Sequence, residues 1–211
     1  MGDSWESTNI SGSCQNPSVI CIQEFRDLGE NGDNFMTINP WPILKSYWVI
    51  PGRFRAGEYP SGVEEAEARG KLLWLLNLGI DYFIDLTEEG EPETNPYDGI
   101  LNEEAEEYRR TVLHRQLSIP DFSIPSQERM TQILDMIDEA LSAGRNIYLH
   151  CLGGRGRTGT VVGCHLVRHG MAAEQALEKI QELRRGMPDE NHQSPENVSQ
   201  RRMVKQWTKG K

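Results

Sequence analysis

The most regular hydrophobic pattern in the chain has apolar residues at spacings of three and four, as on one face of an α-helix. Its members are Met130, Ile133, Leu134, Ile137 and Leu141. Pro125-Ser126 precedes this pattern and Gly144 follows it, and such residues are typical of the start and the end of a helix. We therefore predict a helix here with one face packed in the core.

Four more segments have helical patterns. Residues 157–169 are almost uniformly apolar, which predicts a helix in the interior. The amphipathic segments cover residues 63–78, 173–185 and 195–207. Each of these three is predicted to pack by one face only.

Short runs of β-branched and aromatic residues predict strands between the helices. They cover residues 46–50, 80–86, 111–117 and 146–149. Because strands alternate with helices, we predict an α/β fold with a central, mostly parallel sheet covered on both faces. Residues 53–60 are interpreted as a loop at the edge of the site, with Arg55 on the surface rather than on substrate.

The first 35 residues differ from the rest, being rich in Ser, Asn, Gly and Asp. We predict a poorly ordered leader or peripheral extension over residues 1–35, although its apolar piece 19–22 could dock on the domain. Residues 36–211 are predicted to form one domain. There is no secretory signal pattern and no apolar run near the ~18 residues of a membrane span. We expect a cytoplasmic monomer without a membrane anchor.

The chain has a formal net charge of −10 at pH 7. Nucleic acid and anionic membranes repel an acidic surface, so neither is expected as a partner. Nine acids and no base lie in residues 88–107, and five bases and no acid in residues 201–211. We interpret both runs as solvated. The four cysteines are Cys14, Cys21, Cys151 and Cys164. We expect them to be reduced, and no two of them have the spacing of metal ligands.

The segment with the most specific chemistry is His150-Cys151-Leu152-Gly153-Gly154-Arg155-Gly156-Arg157-Thr158-Gly159. It runs from the end of a predicted strand into a predicted helix. Three glycines are expected to adopt positive φ and turn N–H groups inward, and the helix N-terminus adds its positive end. We predict a phosphate-binding loop made of Leu152, Gly153, Gly154, Arg155, Gly156 and Arg157. A Walker loop is excluded because no Gly-Lys-Ser/Thr follows the glycines.

The same loop gives Cys151 and its neighbours candidate roles. The guanidinium of Arg157 can hold two phosphate oxygens, and the loop should keep Cys151 largely as a nucleophilic thiolate. The hydroxyl of Thr158 is expected to donate to the sulfur of Cys151. His150 is expected to support the loop by hydrogen bonds rather than to titrate.

Asp121 lies 30 residues before Cys151, in a loop that contains proline. Its carboxyl group could protonate the departing oxygen and then activate water against the phospho-cysteine. Asp121 is therefore the candidate general acid and base.

The order of Asp121, Cys151, Arg157 and Thr158 resembles the cysteine-dependent protein tyrosine phosphatase superfamily. It is most similar to the compact dual-specificity branch, with its bacterial tyrosine-phosphatase-like and kinase-associated members. The resemblance covers roughly residues 45–208. For the fold, the resemblance implies a sheet of four or five strands flanked by helices. For the site, it implies that Cys151 is the nucleophile, Arg157 holds the phosphate and Asp121 is the general acid and base. The hydroxyl group of Thr158 would then assist the breakdown of the phosphoenzyme. The resemblance implies no metal and no other cofactor.

Some members of that superfamily position the attacking water with a late glutamine, and Glu196 stands at that place here. Gln200 or Gln193 is a candidate substitute. The chain also lacks the extended phosphotyrosine-recognition loop of the larger enzymes. A shallower site would admit phosphoserine and phosphothreonine as well as phosphotyrosine.

Four further residues have two interpretations each. Arg155 is either a solvated loop charge or a contact for a second anionic group on the substrate, with equal weight. Cys164 is interpreted as a packed core residue in preference to a redox partner of Cys151. Asp85 and Thr87 lie at the end of a predicted strand. They are interpreted either as part of a functional site or as residues that make local hydrogen bonds.

The main hypothesis is a phosphomonoester hydrolase that removes phosphate from phosphotyrosine, and from phosphoserine and phosphothreonine, of proteins through a phospho-cysteine intermediate. The alternative is a phosphoinositide or inositol phosphate phosphatase with the same mechanism. A further alternative is a phosphate-binding pseudophosphatase that acts as an interaction module.

Overall fold

A computed structural model of the chain describes Ile43 and residues 45–211. Its strands are β1 (Ser46–Ile50), β2 (Phe54–Gly57), β3 (Tyr82–Asp85), β4 (Leu113–Gln116) and β5 (Ile147–His150). Its helices are α1 (Glu65–Asn77), α2 (Asp98–Glu107), α3 (Gln127–Ser142), α4 (Gly156–Arg168), α5 (Ala173–Leu183) and α6 (Val198–Gln206). The predicted leader, with Cys14 and Cys21, lies outside the described residues.

The strands form one five-stranded sheet in the order β1-β2-β5-β3-β4. All neighbours are parallel except β1, which pairs antiparallel with β2 at the edge. This confirms the predicted α/β fold with a mostly parallel central sheet. Gly57 and Asp85 are the register partners of His150 on either side of it, so three strands end together at one sheet edge.

Both faces of the sheet are covered, as predicted. Alternate residues of β5 point to opposite faces: Ile147 and Leu149 join the core with α3, α4, α5 and α6, and Tyr148 joins a second core with α1 and α2. The interior helix is α4, since eleven of its thirteen residues are buried. None of the helices in the described residues is long and apolar enough to cross a membrane.

Two elements, β2 and α2, were not predicted. In β2 the charged Arg55 interrupts the hydrophobic pattern, but its guanidinium lies over the rings of Trp48 and Trp74, 5.0 and 4.8 Å from their centroids. Arg55 is therefore half-buried between two tryptophan rings rather than fully on the surface. Burial lowers its pKa.

The helix α2 lies within the acidic run, which is not solvated throughout. Glu104 is buried on the inner side of α2 and accepts a hydrogen bond of 2.6 Å from Arg69. Glu91, in the loop before α2, is also buried. The prediction of a solvated face is wrong at these two positions, because each carboxylate has an arginine partner that compensates for its burial.

Candidate active site

The segment from the end of β5 into the first turn of α4, residues 151–157, is here called the cysteine loop. It begins at the sheet edge where β2, β3 and β5 end, and Cys151 is buried there. The carbonyl oxygen of Leu152 accepts a hydrogen bond of 2.9 Å from the backbone N–H of Tyr59, just after β2. The loop is thus fixed by backbone contact to the neighbouring strand.

Gly154 is the glycine on which the course of this loop depends. It has φ of +67°, and a Cβ atom there would lie 2.4 Å from the carbonyl carbon of Gly57 and 2.5 Å from the nitrogen of Glu58. No other residue type fits this position without moving backbone. The prediction that three glycines have positive φ is wrong for Gly153 and Gly156: Gly156 begins α4 with helical geometry.

The guanidinium of Arg157 is buried and connects three site residues. Its Nη1 and Nη2 each donate a hydrogen bond of 2.6 Å to the carboxylate of Glu91, and Nη1 also donates to the carbonyl oxygen of Ile119. Its Nη2 lies 3.0 Å from Oδ1 of Asp121. Burial opposes the charge, but the bonds to Glu91 and the negative charges of Cys151, Glu91 and Asp121 raise the pKa of Arg157. The predicted phosphate clamp is therefore held in orientation by Glu91.

Asp121 lies in the segment 119–124, here called the aspartate loop, and its side chain is 47% exposed. Two side chains of the α6 start support this loop. Nδ2 of Asn197 donates to the carbonyl oxygen of Phe122 at 2.8 Å, and Nε2 of Gln200 donates to that of Ser123 at 3.2 Å. An accessible carboxyl group next to the clamp is what a general acid requires.

The residues considered for positioning water are used in other ways. Gln200 is fully buried, and with Asn197 it forms the capping box of α6, so its amide is committed. Glu196 pairs with Nη2 of Arg155. Gln193 is exposed ahead of that segment. In this structure Gln200 supports the aspartate loop.

Thr158 is fully buried at the start of α4. Its hydroxyl group is directed at the carbonyl oxygen of Gly57, 3.5 Å away. The expected donation to the sulfur of Cys151 is thus not the geometry of this structure.

Beneath the cysteine loop, His150 is fully buried, with Nε2 2.6 Å from the hydroxyl oxygen of Tyr97. Burial lowers the pKa of His150 to about 4, against the opposing effect of Asp85. Burial disfavours ionised Asp85, but the nearby His150 and hydrogen bonds from His114 and Thr87 lower the pKa of Asp85 to about 2. Burial thus favours a neutral His150 ring at pH 7, and the supporting role expected for His150 stays a prediction.

Sequence reasoning missed a second arginine at the loop. Arg184, just after α5, is fully buried. Its Nη1 donates to the carbonyl oxygen of Gly154 at 3.3 Å, and its Nη2 lies 2.8 Å from Oδ1 of Asp189. Arg184 ends an amphipathic helix, and nothing in that pattern distinguishes it from an exposed charge. Glu91 was missed for a similar reason, since it lies within a long acidic run.

Cys164 is fully buried in α4 within the hydrophobic core. Burial raises the pKa of its thiol well above the ordinary value. This placement agrees with packing, the preferred interpretation. Cys151 and Cys164 are both free thiols in the structure.

A comparison with protein families gives one match, over residues 62–171, to the family described as "Polymorphic toxin system, DSP-PTPase phosphatase". The matched part is about half of the chain, and it contains the aspartate loop and the cysteine loop.

Two curated relatives match over shorter stretches of the chain. The chain is 39% identical over 61 residues to the phosphatidylglycerophosphate phosphatase PTPMT1 of Arabidopsis thaliana, covering 28% of this chain and 18% of that protein. It is 35% identical over 74 residues to the dual specificity protein phosphatase CDC14B of Mus musculus, covering 35% and 15%. The chain therefore spans less than a fifth of the length of these two relatives.

Solved structures agree with the fold over most of the chain. The active form of Tk-PTP superposes with a TM-score of 0.55 and 26% identity, over 76% of this chain and 94% of that one. PTPMT1 in complex with PI(5)P superposes with a TM-score of 0.57 and 19% identity, over 76% and 92%. At 19% identity, the similarity to PTPMT1 shows a shared fold only.

Proposed function

The chain belongs to the DSP-PTPase phosphatase family of polymorphic toxin systems, and from this membership we propose that it dephosphorylates proteins, at phosphotyrosine and also at phosphoserine and phosphothreonine. The observation that carries the proposal is the position of Arg157. Its guanidinium lies at the end of the cysteine loop, held by Glu91 and 3.0 Å from the carboxylate of Asp121.

In the proposed first step, the phosphate oxygens bind to the N–H groups of the cysteine loop and to Arg157. The sulfur of Cys151 forms a bond to phosphorus while the bond to the ester oxygen breaks, and Asp121 gives that oxygen its proton. In the second step, Asp121 takes a proton from water, whose oxygen attacks phosphorus. Phosphate leaves and the thiolate is restored. Neither step uses a metal.

Two observations favour a peptide substrate over an inositide. Arg155 is paired with Glu196, so its charge is largely compensated and less available to a second phosphate. Beside the site, a cavity of about 300 Å³ is lined in part by Asp85, Glu88 and Glu89. Such an acidic rim repels a polyanionic headgroup and suits a peptide with basic residues.

The aspartate loop also presents apolar surface. Phe122 is 65% exposed and Ile124 is 39% exposed, on either side of Ser123. Side chains of this kind can pack on a peptide that presents a phosphorylated residue to Cys151. A phosphoinositide remains the second candidate, since PTPMT1 was solved with PI(5)P and one relative is the PTEN1 phosphatase of Arabidopsis thaliana.

The first test is hydrolysis of p-nitrophenyl phosphate in the presence of EDTA by wild type, Cys151→Ser and Cys164→Ala. We expect turnover by wild type, loss of turnover in Cys151→Ser, and retained turnover in Cys164→Ala, the matched control for a cysteine outside the loop. A folded, reduced wild type without activity on this or any peptide substrate would instead support a phosphate-binding module.

The second test compares a phosphotyrosine peptide with flanking basic residues, a matched phosphoserine peptide and a soluble phosphoinositide. We expect the phosphotyrosine peptide to have the highest kcat/KM and the inositide the lowest. In Arg155→Ala, the inositide rate should change no more than the peptide rate. A selective loss of inositide turnover in that variant would favour the second candidate.

A further inference from the structure

Two histidines and an aspartate meet between α3 and α4, away from the cysteine loop. His165 and His169 are four residues apart on α4, so their side chains share one face of the helix. Asp138 lies opposite them on α3. One ligand atom from each of these three residues lies within 4.8 Å of the other two.

Asp138 makes an ordinary hydrogen bond to His169 but is too far from His165 for a second one, so Oδ1 of Asp138 lies between two imidazole nitrogens. Oδ1 of Asp138 is 2.9 Å from Nε2 of His169 and 3.7 Å from Nδ1 of His165. Ligand atoms about 2.0–2.1 Å from a tetrahedral Zn²⁺ are separated by roughly 3.3 Å. Both observed distances lie within 0.5 Å of that spacing, and small side-chain rotations would bring them to it.

The other oxygen of Asp138 is already occupied. Oδ2 lies 3.2 Å from Nε of Arg168, whose guanidinium also pairs with Asp135. This contact fixes the carboxylate and leaves Oδ1 directed at the two histidines. Second-shell partners of this kind orient the ligands of metal sites.

A second observation concerns a buried atom without a partner. His165 is 3% exposed, and its Nδ1 has no hydrogen-bond partner among the described residues. His169 has a side chain that is 54% exposed, which leaves a path from solvent to the cluster.

We propose that Asp138, His165 and His169 bind a divalent transition metal, with Zn²⁺ as the best fit, and that water completes the coordination. Two imidazoles and one carboxylate are a donor set that suits zinc. His165 lies nine residues after Gly156, about 13 Å along the helix axis. The metal would therefore join α3 to α4 and stabilise the fold, without contact with the phosphate site.

The test measures Zn²⁺ binding to the full chain by calorimetry after treatment with EDTA and its removal. All proteins carry Cys151→Ser, so that the active-site thiol does not contribute. We expect His169→Ala and Asp138→Asn each to lose one binding event or to weaken it by about tenfold or more. His192→Ala, which changes an exposed histidine outside the cluster, should bind like the parent.

Thermal unfolding gives an independent result. Zn²⁺ at about 100 times its dissociation constant should raise the melting temperature of the parent by roughly 5–10 °C, and that of His169→Ala much less. Because His169 is exposed, this variant is expected to fold. Equal binding and equal shifts in parent and His169→Ala would overturn the proposal, leaving a hydrogen-bonded cluster only. Phosphatase activity does not enter either measurement, so this result is separate from the proposed function.

Discussion

The cysteine loop and the aspartate loop meet at Arg157, but they are held in different ways. The cysteine loop is fixed mainly through its own backbone: Leu152 bonds to Tyr59, and the carbonyl oxygens of Gly154 and Arg155 accept from side chains. The aspartate loop is buried only at Ile119, whose N–H donates to the carbonyl oxygen of Leu86. Beyond Ile119 it is more exposed, and amide side chains from the start of α6 hold the carbonyl oxygens of Phe122 and Ser123.

This difference matches the tasks proposed for the two loops, which are phosphate binding and proton donation. A phosphate site gains from N–H groups whose positions are set before substrate binds, because no reorganisation is then needed in the reaction. A general acid has to contact leaving groups of varied shape, and an exposed loop on side-chain supports can adjust. Substitutions in each loop should distinguish support by the backbone from support by side chains.

The largest effect is expected at Asp121 in the aspartate loop. Asp121→Asn keeps the size of the side chain but removes the proton donor, so kcat should fall by roughly 10²–10⁴-fold on a substrate with a poor leaving group. The alkaline limb of the pH–rate profile should disappear with it. An unchanged profile would remove Asp121 from the role of general acid.

In the cysteine loop, Gly154→Ala should act on stability. The new Cβ would require positive φ and would overlap the backbone of Gly57 and Glu58, at a cost of roughly 2–5 kcal/mol. Chemical denaturation measures this, with Gly153→Ala as the matched control, since a Cβ at Gly153 meets nothing within 4 Å. Equal stability of the two variants would show that the loop is not fixed in this way.

The buried layer under the cysteine loop predicts a pH dependence. In the folded state the pKa of His150 is about 4 rather than the usual 6.5, so the unfolded chain binds more protons between these values. Stability should therefore fall by about 3 kcal/mol for this group as the pH drops from about 6.5 to 4. His165 has the same shift and contributes in the same window.

Urea unfolding at several pH values tests this prediction. His150→Asn should reduce the slope of stability against pH by about half, whatever its effect on stability at pH 7. A slope equal to that of wild type would mean that His150 is protonated or accessible in the folded chain.

Most elements, though not β2 and α2, were predictable from local pattern, and so was the turn from β5 into α4 that forms the cysteine loop. Period and spacing identify α3 and α4, and the glycines and arginine after Cys151 indicate anion binding without knowledge of the rest. The partners of that loop were not predictable. Glu91 reaches Arg157 across 66 positions of sequence, and Arg184 reaches Gly154 across 30. No local pattern marks either of them.

The same limit explains the errors. Glu91 and Glu104 were assigned to solvent because a run of acids is ordinarily solvated, yet each is buried against an arginine distant in sequence. Residues 53–60 are predicted as a loop, yet they contain the strand β2, in which the charged Arg55 packs over two tryptophan rings. In each case a tertiary contact outweighed the local preference.

Glu91→Gln tests the orientation of the clamp. Glutamine retains the length of the side chain but not the charge, so Arg157 loses its paired partner and its fixed position. We expect kcat/KM to fall by about 10- to 100-fold, the effect of misplacing a binding group by about 1 Å. Glu89→Gln is the matched control, an exposed acid of the same segment. Comparable losses in the two variants would point to general electrostatics instead.

The smallest effect is expected where the aspartate loop rests on α6. Asn197→Ala removes both the helix cap on Gln200 and the hydrogen bond to Phe122, while the carboxyl group of Asp121 stays intact. Loss of a helix cap costs about 1 kcal/mol of stability. If poorer positioning of the aspartate loop raises the activation free energy by the same amount, kcat falls about fivefold. Steady-state kinetics and denaturation should show both changes, with Ser199→Ala, exposed on the same helix, as the control. If Asn197→Ala lowered stability but left kcat unchanged, the cap would serve α6 alone, and the support of the aspartate loop would rest on Gln200.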